Sequence, residues 1–280
     1  MDNRDQKDFW TDIAGPKWVE QQQAMDALMQ PVLDSVIARA GLGTGAHVLD
    51  IGCGTGASLL AAGEAVGPEG HVLGADISAR LLDLARTRTA DHPQIAVMEA
   101  DAATHAFPLA AFDHLISRFG VMFFERSEAA FQNMARALTP GATLSFAAWG
   151  DIPANPFFTH AAQAARDVLG PMPKSDPDLP GPFAFRDPAR ITGVLDAAGF
   201  SNITVDVQDI HLRPAGTLSD LATQMMAIGP AEAALKHFEA DEAQHAAVHA
   251  SLMAVFADFQ TDTGLAIPAR INFATARVPA

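Results

Sequence analysis

The chain of 280 residues carries 33 acidic and 18 basic side chains, which gives a formal net charge of −15 at neutral pH. This charge argues against a nucleic acid or an anionic membrane surface as the main partner, because both bind concentrated positive patches. Hydrophobic residues make up 49% of the chain and charged residues 18%, a balance that is typical of globular proteins and excludes a disordered chain.

The sequence contains no pattern typical of a membrane span or a secretory signal. No apolar run approaches the roughly 18 residues needed to cross a bilayer. Residues 1–5 are charged and are not followed by an apolar stretch with a small-residue cleavage site. The single cysteine, Cys53, excludes an internal disulfide and suits a reducing compartment, so we expect a cytoplasmic protein.

Before residue 46, apolar residues recur at helical spacing. They are Trp18, Met25, Leu28, Met29, Val32, Val36 and Ile37. Pro16 and Pro31 each suit the first turn of a helix, where a missing N–H costs no hydrogen bond. The pattern predicts two short helices or one kinked helix, and we interpret residues 1–45 as an N-terminal helical lid.

From residue 46 to 149, short β-type runs alternate with longer helical runs, the pattern of a parallel sheet with crossover helices. The predicted strands span 47–51, 71–75, 95–98, 112–117 and 143–149, and the predicted helices span 58–66, 79–89 and 128–138. Ser78 and Ser127 stand where helix N-caps belong, whereas Gly67 and Gly141 stand near predicted helix ends.

Residues 151–188 contain eight of the 18 prolines together with four phenylalanines, so we expect no regular helix or central strand there. Four elements are predicted after this segment: a helix at 188–198, a strand at about 202–212, a helical region at about 218–259 and a β-type run at 271–278. We find no internal repeat and no linker that would divide the chain.

The most informative stretch is a buried strand that runs into a glycine-rich turn and then a helix. Gly52, Gly54 and Gly56 lie in the turn with Cys53 between the first two, and glycines there let the backbone approach a ligand closely. Together with Ala57, the spacing also matches the fingerprint of dinucleotide-binding proteins. The turn alone therefore leaves the ligand open.

Acidic residues at three successive strand ends narrow the choice. Asp50 lies just before the turn, where it would repel a pyrophosphate and attract a cationic ligand. Asp76 can hydrogen-bond a ribose diol, and Asp101 can accept from an exocyclic amine while the next N–H donates to an adenine ring. Ligands of open α/β sheets bind beyond the carboxyl ends of the strands, so all three carboxylates should face one crevice.

With these residues, the chain resembles the class I S-adenosylmethionine-dependent methyltransferases. The matching elements are the stretch 48–56, Asp76, the pair Asp101-Ala102, and the run 138–141. The resemblance implies an α/β fold with a Rossmann-like seven-stranded sheet, mostly parallel with an antiparallel last strand and helices on both faces. Residues 46–150 would form the cofactor-binding core, and residues 151–280 would complete the sheet.

The resemblance also implies that the cofactor is S-adenosyl-L-methionine. The residues expected to contact the cofactor are Asp50, Gly52, Cys53, Gly54, Gly56, Asp76, Ile77, Asp101, Ala102 and Arg118, with Trp18 and Gln22 of the lid. Arg118 would bind the methionyl carboxylate, although an anionic substrate or an ordinary ion pair is an alternative for this side chain.

More narrowly, the chain is similar to bacterial small-molecule methyltransferases of the ubiquinone/menaquinone type. That similarity extends to Phe9-Trp10 and to the segments 18–22, 117–124 and 181–185. Methyltransferases of nucleic-acid bases or glutamine carry an Asn-Pro-Pro-Tyr-like turn after strand four, where this chain has Ser117-Arg118-Phe119-Gly120. This departure disfavours methylation of a base or of glutamine.

Transfer from a sulfonium is an in-line displacement, so the main task is to place a nucleophile within roughly 3–3.5 Å of the methyl carbon. A base is required only for a phenol, an enol or a protonated amine, and no local pattern ranks the candidates. These candidates are His105, His114, His160 and His211. The catalytic residues therefore stay unassigned.

The acceptor is expected to be a small, partly apolar molecule in an apolar pocket. The candidate walls are Phe119, Trp149, Phe157 and Phe183, with ordinary core packing as the alternative for each. We expect insertions at 151–187 and 213–268 to cover this side of the sheet. Aromatic residues in a proline-rich segment also suit a homodimer contact.

A helical run of polar residues raises the question of a metal site. His237, Asp241, His245 and His249 recur every four residues, a spacing that can place ligands on one helix face. The same spacing is typical of a solvated helix face, so we expect no metal.

The sequence thus predicts an enzyme that transfers a methyl group from S-adenosylmethionine to an O, N or C nucleophile of a small molecule. One alternative is a regulator or scaffold that binds the cofactor without methylating anything. The other is an NAD(P)-dependent oxidoreductase, which the charge of Asp50 disfavours.

Overall fold

The computed structural model describes residues 3–280, whose main feature is a seven-stranded sheet. Its strands are β1 (His47–Ile51), β2 (His71–Asp76), β3 (Ile95–Glu99), β4 (Phe112–Arg118), β5 (Leu138–Trp149), β6 (Ser201–Leu212) and β7 (Ile267–Arg277). A short hairpin pairs Gln260–Thr261 with Gly264–Leu265. Met1 and Asp2, which begin the predicted lid and the charged N-terminal run, lie outside the described residues.

The sheet has the strand order β3-β2-β1-β4-β5-β7-β6. The first five strands pair in parallel, whereas β7 is antiparallel to both of its neighbours. The predicted seven-stranded, mostly parallel sheet is therefore confirmed. The central strands β1 and β4 bury nearly continuous apolar runs, as expected for strands that are covered on both faces.

Helices pack against the strands of the sheet. They are α1 (Asn3–Asp8), α2 (Gly15–Glu20), α3 (Gln22–Ala40), α4 (Ala57–Val66), α5 (Ala79–Arg88), α6 (Ser127–Ala135), α7 (Pro156–Leu169), α8 (Pro188–Ala197), α9 (Leu218–Ala227), α10 (Pro230–His237) and α11 (Glu242–Phe256). A π-helical turn, Phe9–Ile13, joins α1 to the segment before α2. No helix in the described part of the chain is long and apolar enough to cross a membrane.

Two of the predicted helix signals are confirmed and two are wrong. Ser78 caps α5 by accepting a hydrogen bond from the Leu81 amide at 3.3 Å, and Gly67 ends α4. Ser127 is the first residue of α6 and makes no capping bond. Gly141 lies within β5 with a φ of +81°, because β5 begins at Leu138, five residues earlier than predicted.

Pro31 lies inside α3 and does not begin a helix as predicted. A proline in a helix interior costs about 3 kcal/mol because it removes one hydrogen bond and crowds the preceding turn. On either side of it, Leu28, Met29, Val32 and Leu33 are buried against the sheet. Burial of these four side chains outweighs the local cost, so the helix continues to Ala40.

The proline-rich segment contains a 14-residue helix, α7, where we expected none. Pro156 stands in the first turn of α7, and the next proline is Pro171, so the helix occupies the proline-free interval. Its buried face includes Phe157 and three alanines, and α10 and α11 pack against it. The helices α7, α9, α10 and α11 together form a cap, and we use this name for them below.

Candidate active site

A cavity of about 510 Å³ lies beyond the carboxyl ends of β1, β2, β4 and β5. This volume is within the range of roughly 300–1,000 Å³ that is typical of small-molecule sites. Strand ends form its floor, the segment from α1 to α3 forms one wall, and the cap and the loop around Gly181 form the other. The cavity therefore occupies the place where open α/β sheets bind ligands.

The glycine turn after β1 forms part of the cavity wall and adopts left-handed backbone conformations that favour glycine. Gly52 has a φ of +70°, and a Cβ there would lie 2.6 Å from the Cα of Gly120. Gly54 has a φ of +54° and lies beside open space. Gly52 permits close packing against the loop after β4, and Gly54 keeps the approach to the backbone clear. Cys53 also lines the cavity, and burial raises the pKa of its thiol.

Asp76, at the end of β2, holds the turn in place and lines the cavity. One of its carboxylate oxygens accepts from the Gly54 amide at 2.8 Å, and the other accepts from the Ser78 amide at 2.9 Å. Burial raises the pKa of Asp76, and these backbone donors oppose the increase. Each carboxylate oxygen has a second lone pair, so hydroxyl groups of a ligand can still donate to it.

Asp50 lies behind the cavity wall, and the prediction that all three strand-end carboxylates face the cavity is wrong for this residue. Its Oδ2 accepts from the hydroxyl of Ser58, which does line the cavity, at 2.5 Å. Burial raises the pKa of Asp50 to about 7, with the Ser58 hydrogen bond and the charge of Arg118 opposing the increase. No described residue is hydrogen-bonded to Oδ1.

The loop after β3 contributes the second strand-end acid that lines the cavity. Asp101 accepts from the Ala103 amide at 3.0 Å and from the Thr104 hydroxyl at 3.1 Å, which fixes the loop in a tight turn. Asp101, Ala102 and Ile77 all line the cavity. The prediction that residues following β2 and β3 meet at one site agrees with this geometry.

Arg118, at the end of β4, belongs to a charged cluster beside the turn. Its Nη2 lies 3.7 Å from Asp26 of α3, and the same carboxylate accepts from Arg88 at 2.8 Å and from Gln22 at 2.6 Å. Arg88 also donates to the Thr55 carbonyl at 2.7 Å. Burial lowers the pKa of Arg118, an effect that Asp26 opposes. Within the described chain, the buried Nη1 of Arg118 finds no acceptor.

Aromatic rings form the opposite half of the cavity. The Phe119 and Trp149 rings stack with centroids 4.6 Å apart and planes 5° apart. Phe157 lies parallel to Trp149 at 6.2 Å, and Phe158 meets Trp149 edge-on at 4.9 Å. Phe183 contacts Phe158 at 4.8 Å but does not line the cavity, so the prediction that it is a wall residue is wrong. It supports the wall from behind.

The segment from α1 to α3 closes one side of the cavity. Trp10 packs edge-on against Trp18 and Phe123, and the Trp10 carbonyl accepts from the hydroxyl of Ser78 at 2.9 Å. Trp18 and Gln22 line the cavity. The Gly15 backbone lies so close to the Trp10 carbonyl that a Cβ would overlap it. The segment from α1 to α3 is therefore attached to the rest of the chain by the Ser78 hydrogen bond and by the packing of Trp10 on Phe123.

Several predicted residues lie outside the cavity. Gly56 caps α4 with a φ of +92° and packs on Ala85. None of the candidate bases named from the sequence lines the cavity within the described chain. His105 packs on Phe107, His114 lies 2.6 Å from the Thr143 hydroxyl, and His160 contacts the rings of Phe256 and Phe259; His211 lies on β6.

The polar residues at helical spacing have structural contacts. Asp241 is the N-cap of α11 and accepts from the Gln244 amide at 2.8 Å. His249 lies 3.3 Å from the Thr223 hydroxyl on α9. In residues 3–280, no group of three or more His, Cys, Asp or Glu side chains is arranged to hold a metal ion.

Sequence reasoning missed the ion pairs that join α2 and α3 to the rest of the site. Asp26 is the centre of the Arg118 cluster, and Lys17 of α2 forms an ion pair with Glu232 of α10. A signal for Asp26 was present, because this acid stands beside Met25 on the apolar stretch of α3 and needs a partner. No local pattern identifies Glu232, since its partner lies more than 200 residues away.

Comparison with known proteins agrees with this site. The methyltransferase domain family matches residues 48–141. Aklanonic acid methyltransferase DauC of Streptomyces sp. (strain C5) is 37% identical over 105 residues, which are 37% of this chain and 48% of that protein. Nocamycin O-methyltransferase of Saccharothrix syringae is 30% identical over 193 residues, which are 65% of this chain and 67% of that protein.

Solved structures show the same fold. The YcgJ protein of Bacillus subtilis has a TM-score of 0.56 and 14% identity, and the alignment covers 90% of this chain and 99% of that protein. The chain spans about half the length of the first curated relative that it matches.

The fold, the site and these relatives define one class: the chain belongs to the class I S-adenosylmethionine-dependent methyltransferases. Its relatives include demethylmenaquinone methyltransferases, in agreement with the ubiquinone/menaquinone type expected from the sequence. The dinucleotide interpretation of the glycine turn is not supported.

The cavity fits S-adenosylmethionine, the cofactor of this class. Gly54 leaves open space beside the backbone, and the orphaned Nη1 of Arg118 offers a buried donor to a carboxylate. Asp76 and Asp101 supply acceptors for hydroxyl and amine groups. Asp26, Asp76 and Asp101 line the same part of the cavity as the glycine turn. Their negative charges suit a ligand that carries a sulfonium and an ammonium group.

Proposed function

We propose that the protein transfers the methyl group of S-adenosylmethionine to an O, N or C nucleophile of a small, partly apolar molecule by in-line displacement. The observation that carries this proposal is one continuous cavity with a polar half at the glycine turn and an aromatic half at Phe119 and Trp149. The two halves give a cofactor and an acceptor adjacent places, and proximity is the main requirement of this reaction.

Residues of the polar half would hold the cofactor. We assign the ribose hydroxyls to Asp76, the adenine to Asp101 and Ala102, and the methionyl carboxylate to Nη1 of Arg118. Asp26 would keep the Arg118 side chain in position, since the two groups lie 3.7 Å apart. Bound in this way, the cofactor supplies an electrophilic methyl group on a positively charged sulfur.

The remaining segments would exclude water and select the acceptor. We propose that residues 1–45 act as a lid over a cofactor-binding core at 46–150, and that the insertions at 151–187 and 213–268 cover the acceptor. In support, Trp18 and Gln22 line the cavity from one side, and Ala227, Ile228 and Gly229 line it from the cap. A closed, apolar site strengthens electrostatic interactions between reacting groups.

Calorimetric titration with S-adenosylmethionine, S-adenosylhomocysteine and NAD tests the cofactor assignment. We expect micromolar binding of the first two and none of NAD, with affinity lost in Asp76→Ala and unchanged in Asp83→Ala, an exposed acid on α5. Binding of NAD alone would overturn the proposal. Formation of S-adenosylhomocysteine with an acceptor then distinguishes an enzyme from a protein that only binds the cofactor.

A homodimer and a cytoplasmic location stay predictions. Sedimentation of the purified chain measures the first. Fractionation of the source cells measures the second.

A further inference from the structure

Two arginines beside the glycine turn share a single carboxylate. Arg88 is the last residue of α5, Arg118 is the last residue of β4, and Asp26 of α3 lies between them. Their side chains are 20%, 15% and 16% exposed, so solvent ions screen these charges only weakly. The three side chains together carry one positive charge in excess, and a largely buried positive charge without its own partner favours an anionic ligand.

Asp26 is not shared equally between the two arginines. Its Oδ2 accepts from Nη2 of Arg88 at 2.8 Å and from Nε2 of Gln22 at 2.6 Å. Its Oδ1 lies 3.7 Å from Nη2 of Arg118, a distance too long for a hydrogen bond. A closer approach to Arg118 would stretch the two short bonds to Oδ2, so Arg88 holds the carboxylate away from Arg118.

Arg88 acts from outside the cavity. Its Nη1 donates to the Thr55 carbonyl in the glycine turn at 2.7 Å, while its Nη2 donates to Asp26. Thr55 and Asp26 line the cavity, whereas Arg88 is not part of the wall that the described residues form. The planar fork of a guanidinium suits such a double contact. Arg88 can therefore influence a ligand only through the residues that it holds.

Arg118 is left with a donor that a ligand can use. Its Nη1 is buried and finds no acceptor in the described part of the chain, although the residue lines the cavity. Asp50 is another acid whose charge acts on Arg118, but burial raises the pKa of Asp50 to about 7, so this acid is only partly ionised at neutral pH. A buried donor without a partner is unfavourable, and an anion that binds to it removes this cost.

On the basis of the proposed function, we propose that Arg88 is a positioning residue for the cofactor: by holding Asp26, it keeps the guanidinium of Arg118 free for the methionyl carboxylate. Without Arg88, Asp26 would pair with Arg118 and compete with the cofactor. This role concerns one group of the cofactor, its carboxylate. Contacts of the ribose and the adenine with Asp76 and Asp101 should not depend on it.

A purely structural role of Arg88 makes a different prediction. If this side chain only held the Thr55 carbonyl, its loss would loosen the turn and weaken every ligand bound there. Decarboxylated S-adenosylmethionine separates the two roles, because it keeps the adenosine, the sulfonium and the ammonium group and lacks only the carboxylate. Calorimetry with this probe and with S-adenosylmethionine measures how strongly the carboxylate is recognised.

We expect the wild type to bind S-adenosylmethionine roughly 30-fold more tightly than the decarboxylated probe, as a charge-assisted hydrogen bond to a buried arginine allows. In Arg88→Met, affinity for S-adenosylmethionine should fall about tenfold, whereas affinity for the decarboxylated probe should stay within twofold. Arg86→Met is the matched control, because Arg86 lies on the same helix and pairs with the exposed Asp83. It should change neither affinity.

The double variant Asp26→Asn with Arg88→Met gives the sharper test. It removes the carboxylate that would otherwise neutralise Arg118, and its net charge equals that of the wild type. The amide of asparagine carries no charge to compete with the cofactor, so affinity for S-adenosylmethionine should return to within about threefold of the wild type. Recovery through a second substitution requires that the two residues act on the same group.

Three results would overturn the inference. The first is an equal loss of affinity for both ligands in Arg88→Met, which would show that Arg88 only supports the turn. The second is an unchanged ratio of the two affinities in this variant. The third is the absence of recovery in the double variant. Failure of the proposed function is distinguishable, because it would appear in the wild type, which would then bind neither ligand.

Discussion

The two halves of the cavity are built in different ways. The polar half is made of short turns after β1, β2 and β3, which are fixed by backbone hydrogen bonds to Asp76 and Asp101. The aromatic half is made of rings from the end of β5, from α7 and from Phe119, which follows β4. One half is set by backbone geometry that few residues can adopt, and the other by packing that many apolar residues could supply.

This difference has a functional consequence. In the polar half, backbone amides donate to the carboxylates of Asp76 and Asp101, so a substitution of either acid alters the turns as well as the contact with the ligand. A site made of packed side chains can change its shape by substitution while the sheet stays intact. Substitutions in the polar half should therefore affect stability and cofactor binding together, whereas those in the aromatic half should affect the acceptor alone.

The largest effect is expected for Gly52→Ala. The new Cβ would adopt a left-handed conformation and lie 2.6 Å from a backbone atom of Gly120, at a combined cost of about 2–5 kcal/mol. Urea unfolding measures this loss, and calorimetry should find no cofactor binding. Gly193→Ala is the matched control: this glycine is exposed within α8 with open space around it, so the substitution should stabilise by up to about 1 kcal/mol. Equal stability of Gly52→Ala and Gly193→Ala would show that the turn after β1 does not require glycine at position 52.

The pH dependence of stability gives a second test in the polar half. The pKa of Asp50 is about 7 in the folded chain and about 3.9 when unfolded, so the folded state binds a proton more tightly over this interval. The free energy of unfolding should fall as the pH rises from about 4 to about 7, by at most about 4 kcal/mol.

Asp50→Asn removes this titration while keeping an acceptor for Ser58. Its stability relative to the wild type should therefore increase between pH 4 and pH 7, as measured by urea unfolding at each pH. Asp83→Asn, at an exposed position, should follow the wild type throughout. If the curves for Asp50→Asn and the wild type ran parallel, the burial of a titrating carboxylate behind the turn would be refuted.

The same division explains how much could be predicted from the sequence. The strands, the turn and the positions of Asp76 and Asp101 were predictable because they depend on local patterns: apolar runs, glycines and acids at strand ends. The family resemblance rests on the same residues. Asp50 was misplaced because spacing along a strand does not show that Ser58 stands between its carboxylate and the cavity.

The aromatic half was less predictable because it depends on contacts between distant segments. The prolines in residues 151–188 argued against a helix, so α7 was not predicted. Composition also does not show that Phe157 lines the cavity while Phe183 lies behind Phe158. The Lys17–Glu232 ion pair joins residues more than 200 positions apart. The tertiary fold decides such contacts, and no local signal records them.

In the aromatic half, Phe119→Leu should separate acceptor binding from cofactor binding. Phe119 lines the cavity, and one aromatic contact with a bound ring is worth about 1 kcal/mol. Affinity for S-adenosylhomocysteine should stay within twofold of the wild type, and binding of a flat aromatic probe, 2-naphthoate, should weaken about fivefold, both by calorimetry. Phe259→Leu in the chain after α11, at a ring that contacts His160, is the control and should change neither affinity. A fall in cofactor affinity with Phe119→Leu would show that the two halves are not separable.

The smallest effect is expected for the ion pair that links α2 to α10 of the cap. Lys17 and Glu232 are 40% and 23% exposed, and partly exposed pairs contribute about 0.2–1 kcal/mol. Because this pair spans the cavity, a double-mutant cycle of Lys17→Met and Glu232→Gln should show a small coupling energy together with a roughly twofold faster dissociation of S-adenosylhomocysteine, as measured by stopped flow. Both effects should vanish in 1 M salt, which screens exposed charges.

The Asp83–Arg86 pair on α5 is the matched control, since it lies within one helix: its removal should leave the dissociation rate unchanged. An unchanged rate for the Lys17 and Glu232 variants would mean that the ion pair does not slow release of the ligand, and that the packing of Trp10 on Trp18 and Phe123 is sufficient to hold the segment from α1 to α3 in place.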